Sequence, residues 1–166
     1  MAKTEYLLRK ELEHVLAALT PSNRLVCRVI LQTGLRVGDA VSLKTAQLSR
    51  QFSVKEQKTG KNRKVGISDD LRRDILKQAG NEWAFPGRKH GTHRTRQAVW
   101  ADIKRAAKAF RLPQNVGSHS LRKYYAVELR RKYGDIERVR KIMKHSNAAV
   151  TMIYAMADRL LEAKKI

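Results

Sequence analysis

From Gly117 to Tyr154 the chain reads GSHSLRKYYAVELRRKYGDIERVRKIMKHSNAAVTMIY. No other stretch limits the fold and the chemistry as much. His119 and Arg122 are three residues apart, so a helix there places both on one face. Gly134 followed by Asp135 predicts a helix stop and the cap of the next helix. That next helix is short and ends near Met143, after which His145 sits in a turn with Ser146 and Asn147. A last helix then carries Tyr154. Consecutive helical elements thus deliver an imidazole, a guanidinium, a second imidazole and a phenol. Cations suit the oxygens of a phosphodiester, an imidazole moves protons, and a phenol can attack phosphorus. Each residue alone reads as readily as a cap, a turn residue or an interface aromatic. The set, completed by two residues upstream, carries the reading.

Charge points the same way. Lys and Arg number 36 against 15 Asp and Glu, a formal charge of +21 spread along 166 residues. A folded surface this basic fits a polyanionic partner, nucleic acid first. An anionic membrane is second, but no helix is both basic and strongly apolar on its other face. Cys27 is the only cysteine, which excludes an internal disulfide and a cysteine-based zinc site. No apolar run approaches a membrane span, and MAKTEYLLRKELE lacks a signal-peptide core. The expectation is a soluble, cytoplasmic protein.

Along the chain, Leu8, Leu12, Val15, Leu16 and Leu19 predict a first amphipathic helix. Thr20 and Pro21 start a second, Thr20 as its cap, which carries Leu25, Val26, Val29 and Ile30 and stops at Gly34. A short helix after Arg36 carries Asp39, Val41 and Leu43. An arginine at a helix start opposes the dipole, so a bound anion explains it better than chance, and Asp39 reads equally as the holder of its fork or as an ordinary surface carboxylate. Two short strands, 52–54 and 64–67, flank the lysine-rich hairpin tip KEQKTGKNRK. Ser68, Asp69 and Asp70 cap a helix to about Gln78, and Val99 to Phe110 mark another. The loop 87–96 holds Arg88, Lys89, Arg94 and Arg96 beside His90 and His93. Phosphate tracking suits it better than metal, since no carboxylate or cysteine accompanies the histidines.

These residues resemble the catalytic domain of the tyrosine recombinases, the phage integrase family. TGLRVGDAVSL is similar to its first arginine box, KTG at Lys58 to its hairpin lysine, and HSLR to its histidine-and-arginine box. KHSNAAVTMIYA is similar to its last box, with a His nine residues before the Tyr. The six functional positions fall on Arg36, Lys58, His119, Arg122, His145 and Tyr154. Lys55, Lys61 and Lys64 remain alternatives to Lys58. Lys123 stands where a His is common, and Lys144 where a Gly is common.

The resemblance implies a mainly α fold with a small antiparallel β-sheet (α+β) and one catalytic domain over 1–166. Members usually carry a separate N-terminal core-binding domain, which is expected to be absent or removed here because the first helix begins almost at Met1. It implies that Arg36, Arg122 and His145 hold the nonbridging oxygens while Tyr154 attacks phosphorus and His119 takes its proton. A 3′-phosphotyrosyl bond forms and Lys58 protonates the 5′-oxygen that leaves. No cofactor, metal or ATP is expected. The implied partner is double-stranded DNA, with a free monomer and a homotetramer on paired sites, in a prokaryotic cell or the host of a phage or mobile element. Lys61, Arg63, Arg88, Lys89, Arg94, Arg96 and Lys123 are the expected DNA contacts. A type IB topoisomerase-like enzyme and a noncatalytic basic DNA-binding module are the alternatives.

Overall fold

The computed structural model describes residues 6–144. His145, Tyr154 and the apolar tail residues Leu160, Leu161 and Ile166 lie outside the described residues. Seven helices and one hairpin follow each other: α1 (Arg9–Ala18), α2 (Pro21–Thr33), α3 (Val37–Val41), β1 (Gln51–Lys55), β2 (Asn62–Gly66), α4 (Asp69–Gln78), α5 (Arg96–Ala109), α6 (Ser118–Tyr133) and α7 (Ile136–Met143). The fold is mainly α with a small antiparallel sheet, as expected.

α2 is the axis of the fold. It packs against α1, α3, α4, α5 and α6. Its apolar positions Val26, Cys27, Val29 and Ile30 are fully buried. Leu12 and Val15 of α1, Leu71 and Ile75 of α4, Ile103 of α5 and Leu121 of α6 close the same core. Leu7, fully buried, packs there rather than Leu8, which is 39% exposed. A second cluster joins α6 to α7 through Ala126, Leu129, Val139 and Met143. No helix among the described residues is long and apolar enough to cross a membrane.

Local chemistry sets the element ends. α2 stops where Gly34 turns left-handed at φ 66°, and α6 stops at Gly134 at φ 68°. Asp135 accepts from the Glu137 amide and starts α7; Ser68 does the same for α4 through the Leu71 amide. Thr20 does not cap α2 as expected. Its hydroxyl donates to Asp102 Oδ2 on α5 at 2.8 Å instead. A buried carboxylate is the stronger acceptor available, and the backbone amide of Thr20 joins the same oxygen at 2.9 Å. α3 also ends earlier than expected, at Val41, leaving Leu43 beyond it.

The hairpin pairs Phe52 with Val65 and Val54 with Arg63. Both strands alternate exposed and buried residues, so Phe52, Val54, Arg63 and Val65 share the inner face. Glu56 continues that face past the end of β1 and is fully buried.

Candidate active site

Four segments distant in sequence meet around one cavity of about 390 Å³. Arg36 enters from the turn between α2 and α3, and Lys58 from the hairpin tip. His119 and Arg122 enter from the first turns of α6, and Arg96 from the start of α5. Arg36, Lys58, His119 and Arg122 are thus gathered as the sequence predicts. Of the four hairpin lysines, Lys58 lines this cavity, while Lys64 lines a separate one near Tyr125.

Arg122 is held by backbone. Arg122 is 4% exposed, and its Nε donates to Gly34 O at 2.8 Å. That carbonyl sits in the left-handed turn two residues before Arg36. Side chains carrying fixed charge on a tied backbone are preorganised for an anion. The positive end of α6 adds to the same field.

An Asp39–Arg36 pair does not form. Asp39 is 2% exposed, and its Oδ1 accepts from the Gln57 amide at 2.9 Å, so it ties α3 to the hairpin. Glu56 takes the place assigned to it, with Oε2 at 3.4 Å from Arg36 Nη1. Arg63 is a second correction. It is 2% exposed, donates to the carbonyls of Thr33 and Gly34, and faces Glu56 at 3.5 Å. A guanidinium so enclosed is not a DNA contact. Its alternation with Val65 and Ile67 was the signal, since period two places all three on the inner face.

The other basic candidates are dispersed. Lys61, Arg88 and Lys89 are exposed. Arg94 is half-buried and gives one donor to Asn23 Oδ1 at 3.1 Å. Lys123 is half-buried on α6. Of the loop histidines, His93 has its Nδ1 2.7 Å from Arg94 O and its ring edge against Trp83. No three His, Cys, Asp or Glu residues among those described group as metal ligands would.

His119 is an exposed residue that lines the cavity, and its ring is partly desolvated there. That desolvation holds its pKa below the ordinary 6.5, and the charges of Arg122, Arg36, Lys123 and Lys58 lower it further. The neutral, proton-accepting imidazole is therefore favoured near pH 7. The chain has five tyrosines, and none of the four that are described lines this cavity. Tyr124 accepts from Arg9 Nε at 3.4 Å, and burial pushes the phenol of Tyr125 up.

A helical fold with one hairpin among the described residues, whose cavity gathers three guanidiniums, a lysine and an imidazole, defines a class of domain with a cationic pocket suited to an anion such as a phosphate. Comparison with known proteins makes that specific. The phage integrase family model matches residues 5–159, and the chain belongs to that family, the tyrosine recombinases. It is similar to a putative integrase/recombinase, y4qK, of Sinorhizobium fredii, 30% identical over 152 residues, covering 87% of this chain and 49% of that one. It is 29% identical to the integrase of Escherichia phage P2 over 156 residues, covering 92% and 43%. Among solved structures it resembles the catalytic domain of bacteriophage HP1 integrase, with TM-score 0.69 and 24% identity over 99% of this chain and 95% of that one. It also resembles XerH recombinase bound to its difH substrate after cleavage, with TM-score 0.74 and 22% identity over 92% and 49%. The chain spans about half the length of these two curated relatives.

Proposed function

We propose that this chain cleaves and rejoins double-stranded DNA as the catalytic part of a site-specific recombinase, through a covalent 3′-phosphotyrosyl intermediate on Tyr154. The observation that carries the reading is the meeting of Arg36, Lys58, His119 and Arg122 in one cavity from three separate segments, with Arg96 joining them from a fourth. Arg36 and Arg122 supply fork-shaped donors for the nonbridging oxygens. Together with His145 they give the charge stabilisation that a divalent metal gives elsewhere, each donor worth on the order of 10²–10³ in rate. His119, kept neutral by its surroundings, accepts the phenol proton. The Tyr–O–P bond forms as the P–O5′ bond breaks, and Lys58 protonates the departing 5′-oxygen. Reversal by another strand's 5′-hydroxyl rejoins DNA and releases Tyr154, with no net consumption of phosphodiester energy.

Arg96 at the cavity and the exposed Arg88, Lys89 and Lys61 elsewhere supply basic surface for the flanking duplex. The relatives' names and the XerH complex with difH support DNA as substrate. We extend the reading to a monomer when free and a homotetramer on paired sites, acting in the cytoplasm of a prokaryotic cell. Strand transfer between two site-bearing DNAs tests the reading. Joint molecules are expected. Relaxation of any supercoiled plasmid without joint molecules indicates a topoisomerase-like enzyme, and neither product indicates a binding module.

A further inference from the structure

We propose that Glu56 is a positioning residue, whose buried carboxylate sets the Arg36 guanidinium and the Lys58-bearing hairpin tip as one unit against the phosphate cavity. The proposal rests on the function given above. Glutamate is seldom fully buried unless paired, yet Glu56 is 0% exposed in a protein with a large excess of cations. Its position beside an anion site is also costly in principle, because a negative charge there opposes the phosphate. The arrangement around it explains both facts.

The backbone of Glu56 closes the turn that displays Lys58. Its amide donates to Lys61 O at 3.0 Å, and its carbonyl accepts from the Gly60 amide at 2.8 Å. Its side chain then crosses to the arginines. Oε2 accepts from Thr59 Oγ1 at 2.9 Å and lies 3.4 Å from Arg36 Nη1, while Oε1 lies 3.5 Å from Arg63 Nη1. One residue therefore fixes where the lysine is shown and where the guanidinium points.

Neither arginine contact is a hydrogen bond, since the buried Arg36 Nη1 and Glu56 Oε1 both lack a hydrogen-bond partner among the described residues. Glu56 therefore orients the guanidinium by charge without consuming its donors, which stay available for phosphate oxygens. A close bidentate pair would hold the same group in place but would have to break before it served the substrate. Glu56 also faces Arg63, which reaches the same Gly34 carbonyl as Arg122. Without the carboxylate, three guanidiniums crowd one turn and Arg63 is buried uncompensated.

A folding role and a positioning role separate experimentally. Glu56→Gln keeps the shape and removes the charge. Cleavage is expected to fall about 10²-fold, as for misplacement of a catalytic group, with DNA binding little changed. In an Arg36→Ala background the same substitution should cost clearly less than about 10²-fold, the remainder coming from the Lys58-bearing tip, because residues acting as one unit are not additive. Adding Arg63→Met to Glu56→Gln removes the uncompensated charge. It should restore the thermal midpoint but not the cleavage rate. Recovery of cleavage along with stability, or a full Glu56 effect in the Arg36→Ala background, overturns the proposal. Arg36 Nη rotation, followed by nitrogen NMR on the free protein, decides the question without catalysis. It should be slow in the unsubstituted chain and fast in Glu56→Gln, and unchanged rotation also overturns the proposal. An unsubstituted chain that forms no covalent adduct, yet shows this change in rotation, places the failure in the recombinase reading and not in Glu56.

Discussion

Arg122 Nε donates to Gly34 O at 2.8 Å, which ties the helix bearing His119 to the turn that launches Arg36. The turn depends on glycine. Gly34 has φ 66°, and a Cβ added there would lie 2.4 Å from Cδ1 of the Tyr125 ring. The ring lies on the same helix as Arg122, so one small residue lets the two helices close and aligns two arginines at once.

Gly34→Ala should therefore destabilise by more than the about 1–2 kcal/mol of a left-handed alanine, since the ring must also move. Denaturant unfolding measures this. A loss below about 0.5 kcal/mol, the size of an ordinary surface change, contradicts the packing described.

Asp102 joins α5 to the start of α2. Burial would raise its carboxyl, but hydrogen bonds from Asn23, from the Thr20 side chain and amide, and from Arg105 outweigh it and hold the pKa down at about 2. A carboxyl lowered in the folded state stabilises above its ordinary 3.8, and that contribution is lost as pH falls toward about 2. Asp102→Asn should cost on the order of 2 kcal/mol at pH 7 and progressively less at acid pH. A penalty that does not change between pH 6 and pH 3 contradicts this, with both values to be read from urea unfolding at about 25 °C.

Much of this was legible in the chain. Gly34, Gly134, Asp135 and Ser68 end or start helices where local rules place them, because a left-handed glycine or a capping oxygen needs only its neighbours. Asp39, Thr20 and Arg63 were misjudged for a shared reason. Each chooses its partner across the fold: Gln57, Asp102 and Glu56. Nearness in sequence favoured Asp39 for Arg36, whereas the hairpin brings Glu56 from twenty residues away. Basic character suggested that Arg63 faces solvent, whereas its place in the strand alternation turns it inward.

His119 should titrate below the ordinary 6.5, first because it is partly desolvated and then because of Arg122, Arg36, Lys123 and Lys58. As pH falls below 6.5 the imidazole should stay neutral, and cleavage should drop only when pH passes the lowered value. Proton NMR of the His119 ring gives the midpoint. Lys123→Ala should move it upward, and no movement would show that Lys123 has no hold on it.

Lys58→Ala should slow cleavage by roughly 10²–10⁴ if the lysine is the general acid. A substrate with sulfur at the 5′-bridging position leaves without a proton, so it should recover much of that rate. Recovery that instead follows substitution of Lys55 or Lys61 assigns the proton to another lysine of the hairpin.

The central claim is covalent chemistry at Tyr154, and a nicked suicide substrate tests it most directly. The unsubstituted chain should be trapped on DNA through a 3′-phosphate, with the adduct mapping to the peptide that contains Tyr154. Tyr154→Phe should bind the same DNA and form no adduct. An undiminished adduct in that variant, or one that maps to Tyr124, Tyr125 or Tyr133, contradicts the account.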